Sequence, residues 1–227
     1  MFLSPPAFEH LLDWVRHWGA NERSIITFYG TWEARVLGKQ ELLWWGDNAP
    51  YHVYNYPYFD RLFPNSKFIL LIRDPRDVYA SGKVSFEWGL ESVYWRWELA
   101  LLNGLLAETQ FGSTRVKRVM YERLVTVPQE QLQEICSFLG IDYTEEMLRF
   151  YESDAAKSIA QLGHHTNLLK PAFTSAIGKF RQVLTKEEIA AIEDRLNTPM
   201  ESLGYLTHEE WERITLEKLS KSSHAAG

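Results

Sequence analysis

Lys67-Phe-Ile-Leu-Leu-Ile-Arg73-Asp-Pro-Arg76-Asp-Val-Tyr-Ala-Ser81 is the stretch that decides how this chain folds. An apolar run breaks off in a charged turn, and a helical pattern follows. Lys67 to Ile72 reads as a parallel strand buried on both faces. Asp74 suits a helix N-cap and Pro75 the first helical position. Arg73 therefore stands at the carboxyl end of a strand, the edge of an open α/β sheet where ligands bind. A guanidinium there, beside a helix start, suits a phosphate or sulfate. Ser81, two turns into the helix, offers a hydroxyl to the same anion. The plainer alternative is an arginine that pairs with a surface carboxylate.

Outward from this unit the chain alternates helical and strand patterns. Helices are expected over residues 5–18, 26–37, 54–62, 91–109, 128–138 and 144–151. A capping box, Thr185-Lys-Glu-Glu188, opens another, and a last amphipathic helix covers residues 207–219. Strands are expected at 42–45 and 116–120. Together these predict an α/β fold with a small parallel sheet flanked by helices, in a single domain over 1–227.

Composition narrows the function classes. Hydrophobic residues make up 45% of the 227, which suits a globular protein, and the net charge of −6 argues against a nucleic-acid-binding surface. Cys136 is the one cysteine and falls in an apolar helical pattern, so core packing is expected rather than nucleophilic chemistry. No cysteine–histidine cluster has zinc spacing, and His164 and His165 lack a third ligand, so no metal site is expected. No stretch is apolar enough to span a bilayer, and the N-terminus lacks a signal-peptide n-region. A soluble, cytoplasmic protein is the expectation, with no membrane or nucleic-acid partner.

The Arg73–Ser81 segment resembles the 3′-phosphate-binding element of sulfotransferases that use 3′-phosphoadenosine 5′-phosphosulfate (PAPS). There a strand ends in arginine and a serine follows eight positions later. Three further stretches resemble the same family, which includes bacterial, tyrosylprotein and carbohydrate enzymes: Tyr121-Glu122 after the 116–120 strand, Lys170-Pro171 leading to Lys179-Phe180, and Leu203-Gly204-Tyr205. The resemblance covers about residues 42–205, with 206–227 as C-terminal helix and tail. It implies a P-loop-NTPase-like sheet and PAPS as co-substrate. It further implies a clamp of Arg73, Ser81 and Lys179 on the 3′-phosphate, with Tyr121 against the nucleotide and Phe180 as the packing aromatic. For Lys170 and Arg181 a solvated surface charge is the expected role.

Sulfonate transfer to a hydroxyl or amine needs a base at the acceptor and cations at the moving group, but no metal. Gly46-Asp47-Asn48-Ala49-Pro50 lies where related glycan enzymes carry a Glu-Lys pair. Asp47 is the candidate base and His52 its rival. The same residues also read as an ordinary turn. The family's first strand and its 5′-phosphosulfate loop have no counterpart. Gly82-Lys83 falls inside the Arg73–Ser81 helix and is not that loop; a chain that begins downstream of the element is the expectation, with a natural truncation that binds nucleotide weakly or not at all as the alternative. Two readings follow: a PAPS-dependent sulfotransferase acting on a small-molecule, glycan or peptide acceptor, or a sulfotransferase-like nucleotide-binding module with a binding or regulatory role. A nucleoside or sugar kinase fits less well, because no Walker-type loop is present. Acceptor identity and oligomeric state stay open.

Overall fold

The computed structural model describes residues 10, 13–17, 19, 21–36, 42–153, 156–157, 160 and 169–210. The paired His164 and His165 lie outside them, as do most of the helices expected at 5–18 and 207–219. The chain divides into two compact units, Met1–Ser66 and Lys67–Gly227.

In the first unit, helix Glu22–Val36 begins four residues earlier than the apolar pattern suggests. Asn21 explains the start: its side chain accepts from the Ser24 N–H at 2.9 Å, as an N-cap does. Phe28, 1% exposed, faces inward beneath Trp14, whose indole donates to the Ser24 carbonyl at 2.9 Å. The strand expected at 42–45 does not form; these residues are irregular. Trp45 lies on the bare backbone of Gly30 and meets the edge of Phe63, so side-chain packing rather than a ladder fixes this segment. A 3₁₀ turn, Pro50–Asn55, runs into helix Tyr56–Leu62.

The second unit carries a two-stranded parallel sheet: β1, Phe68–Ile72, and β2, Val116–Met120. The register pairs Phe68 with Val116 and Ile72 with Met120. The crossover between them holds helix Pro75–Phe86 and then Glu91–Val93, a π-helical turn Tyr94–Glu98, and Leu99–Phe111. Leu70 packs directly on Gly104 of this crossover. The other face of β1 departs from the sequence reading. Ile69 is 44% and Leu71 54% exposed, so β1 is not buried on both faces. Helix Pro128–Leu139 packs on β2, with Lys117 paired to Glu134, and among the described residues β1 pairs with no second strand. Alternation with one solvated face is the consequence.

Beyond β1 most of the sequence signals hold, although the helix expected at 144–151 forms as a 3₁₀ stretch, Glu145–Glu152, kinked at Arg149. Asp74 accepts from Arg76 N–H at 2.9 Å and Pro75 opens helix Pro75–Phe86, with Gly82-Lys83 inside it. Gly140 ends helix Pro128–Leu139 at φ 77°. Cys136 is buried, its sulfur 3.6 Å from that of Met147. Helix Lys186–Ser202 opens on the Thr185–Glu188 capping box and buries Ile189, Ile192 and Leu196 against Tyr79, Val93 and Trp97. Among the described residues no helix is long and apolar enough to cross a membrane.

The Leu70–Gly104 contact gives a first prediction. A methyl group at residue 104 meets the Leu70 side chain at less than contact distance, so Gly104→Ala should destabilise the protein by about 1–3 kcal/mol. Urea unfolding would check it, and an unchanged midpoint would contradict it.

Candidate functional site

The parallel register places Arg73 and Tyr121 side by side, because each follows one member of the last pair, Ile72–Met120. Tyr121 opens helix Tyr121–Thr126, and its ring lies 4.6 Å from the Arg73 guanidinium carbon. Arg73 is held from three further directions. Its carbonyl accepts from the Trp97 indole at 2.8 Å. Its Nη2 donates to the Ala176 carbonyl at 2.8 Å. The next residue's N–H, on Asp74, donates to Glu122 at 2.9 Å, and Glu122 also accepts from Tyr205 at 3.0 Å. Burial, with Glu122 close by, pushes the Tyr205 phenol far above its ordinary range, so it remains a donor.

The loop before helix Phe180–Val183 folds back onto this strand end. Asp77, 1% exposed, accepts from Gly178 N–H at 2.7 Å and from Phe180 N–H at 2.9 Å. Burial raises its carboxyl above the ordinary range; those two N–H groups and Arg73 pull the other way. Asp77 precedes Ser81 by one helical turn, so both lie on the helix face that the loop meets. Phe180 is buried, with the Arg76 guanidinium 4.3 Å and that of Arg181 4.4 Å from its ring centre.

Arg76 ties the turn to the core. Its Nε and Nη2 donate to the two oxygens of Asp74 at 2.9 and 2.6 Å, and its Nη1 to Glu193 at 2.5 Å. Burial opposes its charge, but the Asp74 and Glu193 hydrogen bonds outweigh that and its pKa rises. Arg181 departs from the expected surface role. It is half-buried, and burial together with Arg76 lowers its pKa; Lys170 is exposed as expected.

Three cationic or polar groups keep donor capacity. Arg73 Nε is buried with no hydrogen-bond partner among the described residues. Ser81 and Lys179 are exposed. An unpaired buried donor costs about 1–3 kcal/mol unless something accepts from it. A guanidinium, a hydroxyl and an ammonium with spare donors fit a phosphate group.

The other predicted pair lies in the first unit. His52 Nε2 is 2.7 Å from Asp47 Oδ2, and the imidazole meets the edge of Phe59 at 4.7 Å. The two rival bases are thus partners. Among the described residues no cluster of histidine, cysteine, aspartate and glutamate is arranged to hold a metal ion.

Sequence reasoning missed Asp77, Trp97 and the Ala176 carbonyl, and singled out Glu122 only as part of the Tyr121-Glu122 pair, without a role of its own. Asp77 had a signal, since it stands midway between Arg73 and Ser81 at four-residue steps. Trp97 had none, because the π-turn that aims it is not written in the apolar periodicity.

The sequence profile of the Sulfotransferase family matches residues 4–145, more than half of the chain. Protein-tyrosine sulfotransferase 2 of Gallus gallus is 29% identical over 143 residues, covering 58% of this chain and 38% of the relative. Nodulation protein NoeE of Sinorhizobium fredii (strain NBRC 101917 / NGR234) is 27% identical over 196 residues, covering 75% and 46%. The chain thus spans less than half the length of either relative. The fold matches the solved sulfotransferase domain of the Synechococcus PCC 7002 olefin synthase, with a TM-score of 0.61 and 24% identity over 81% of this chain and 65% of that one. The spare donors at the β1 end and the profile match agree, and this chain belongs to the sulfotransferase family.

Proposed function

We propose that the protein transfers the sulfonate of PAPS to a hydroxyl or amine acceptor, a small molecule, glycan or peptide. Arg73, Ser81 and Lys179 hold the 3′-phosphate and Tyr121 lies against the nucleotide. The observation that carries this reading is the gathering of partly unsatisfied donors around the carboxyl end of β1, on a loop and helix that Arg73 and Asp77 lock together. No described acceptor competes for Arg73 Nε, which keeps that donor for an anion.

In the transfer, the acceptor oxygen or nitrogen forms a bond to sulfur. The bond from sulfur to the 5′-phosphate oxygen breaks, leaving 3′-phosphoadenosine 5′-phosphate. The acceptor proton needs a base, and Asp47 and His52, whose side chains meet at 2.7 Å, are the candidates for it. Measuring transfer of labelled sulfonate from PAPS tests the reading. Labelled product from the wild-type chain supports it, and a folded, nucleotide-bound chain that yields none contradicts it.

The acceptor-side assignment predicts its own pattern. His52→Ala should lower kcat by about 10²–10⁴-fold while leaving affinity for 3′-phosphoadenosine 5′-phosphate unchanged. Asp47→Asn should cost less, because the imidazole remains. Equal kcat for His52→Ala and wild type would remove His52 from the mechanism.

A further inference from the structure

The nucleotide site proposed above contains a lysine, Lys179, on a loop with little secondary structure to hold it. The four-residue helix Phe180–Val183 begins one position later. What fixes Lys179 is the polypeptide on either side. Gly178 N–H and Phe180 N–H both point at one carboxylate, that of Asp77. Those two N–H groups belong to the Ile177–Gly178 and Lys179–Phe180 peptides, so the carboxylate holds the backbone before Gly178 and after Lys179. Gly178 has φ 71°, in the left-handed region that favours glycine and accommodates the bend. Three residues before Lys179, the Ala176 carbonyl is held by Arg73 itself. Asp77 is almost wholly buried, and its two carboxylate oxygens both accept from this loop. On its own helix it stands one turn before Ser81.

The geometry points to Asp77 as a positioning residue for the nucleotide: it grips the backbone on both sides of Lys179 and so holds the ammonium over the anion that Arg73 and Ser81 bind. The inference rests on the 3′-phosphate reading of that site. It touches no reacting atom, and it acts through Lys179 alone. A carboxylate that merely stabilised the fold would act on every ligand and every variant alike.

That difference is measurable. Affinities for 3′-phosphoadenosine 5′-phosphate and for adenosine 5′-phosphate are determined by calorimetry for wild type, Asp77→Asn, Lys179→Ala and the double variant, with melting temperatures alongside. Asparagine keeps one acceptor and loses the second. Lys179→Ala should weaken the bisphosphate about 10-fold or more, the worth of one charge-assisted hydrogen bond. Asp77→Asn should weaken it similarly, leave adenosine 5′-phosphate nearly unchanged, and add nothing once Lys179 is gone. Gly178→Ala strains the same loop from the other side with Asp77 intact, and should mimic Asp77→Asn; it carries the test if Asp77→Asn does not fold. Independent, multiplying losses in the double variant would overturn the positioning role, as would a folded Asp77→Asn with wild-type affinity. A wild-type chain that binds both nucleotides equally would overturn the site reading itself and this inference with it.

Discussion

Arg73→Ala is expected to lower affinity for 3′-phosphoadenosine 5′-phosphate by about 10²-fold or more, since charge-assisted hydrogen bonds contribute about 1.5–3 kcal/mol each and a guanidinium makes more than one. The effect is double. Removing the side chain deletes the donors at the strand end, and it releases the Ala176 carbonyl that anchors the Lys179 loop. The main chain stays where it is, because the Trp97 indole holds the Arg73 carbonyl and Glu122 holds the Asp74 N–H. The fold should therefore survive. Arg73→Lys should recover only part of the affinity: an ammonium brings the charge but not a planar fork that serves Ala176 and an anion together. Calorimetric titration of the three proteins checks this, and wild-type affinity in Arg73→Ala would end the clamp assignment.

Arg76→Ala should act on the fold instead. Arg76 is 3% exposed and sits between Asp74, 8% exposed, and Glu193, 14% exposed. Replacing a buried ion pair by apolar groups can be neutral, but removing one member leaves charge behind without compensation. Here two carboxylates are left. A loss of about 3–5 kcal/mol is expected, a large share of the roughly 5–15 kcal/mol of a whole domain. The same change uncovers the Phe180 ring, on which the guanidinium lies. Arg76→Lys keeps the charge but cannot reproduce the two-pronged contact with Asp74, so an intermediate loss follows. Chemical denaturation checks it, with Ser81→Ala as the comparison. Ser81 is exposed, so its loss should leave stability within about 0.5 kcal/mol while weakening the bisphosphate. Equal stability of Arg76→Ala and wild type would mean that the buried triad is not what holds the turn.

The contrast between these two arginines shows what was legible in the chain. Arg73 declares itself locally: an apolar run, a capping aspartate, a proline and a serine at fixed steps. The strand, turn and helix all form as those residues dictate. Val116–Met120, the Gly140 stop and the Thr185 capping box were readable for the same reason, each being set by neighbours a few residues away. Arg76 sits three residues from Arg73, and its local partner Asp74 is only half of its role, because the other carboxylate it holds is Glu193, far along the chain. Asp77 likewise reaches Gly178 and Phe180, about a hundred residues on. The 42–45 segment failed as a strand because two tryptophans look β-like in sequence, while Trp45 found Gly30 and Phe63 rather than a ladder. The solvated face of β1 was misread because a continuous apolar run says nothing of how many faces are covered. Asp47 and His52 were each legible as a candidate base. Their partnership was not, since it depends on the 3₁₀ turn at Pro50–Asn55 bringing the two side chains to one side.

The most direct test of the account is calorimetric titration of this chain with 3′-phosphoadenosine 5′-phosphate against ATP. ATP carries a similar charge but no 3′-phosphate, so a preference for the bisphosphate cannot come from charge alone. The arrangement of Arg73, Ser81 and Lys179 predicts saturable binding of the bisphosphate at least about 10-fold tighter than ATP, the worth of one charge-assisted contact to the extra phosphate. Equal affinity for the two nucleotides, or tighter binding of ATP, would contradict the 3′-phosphate site.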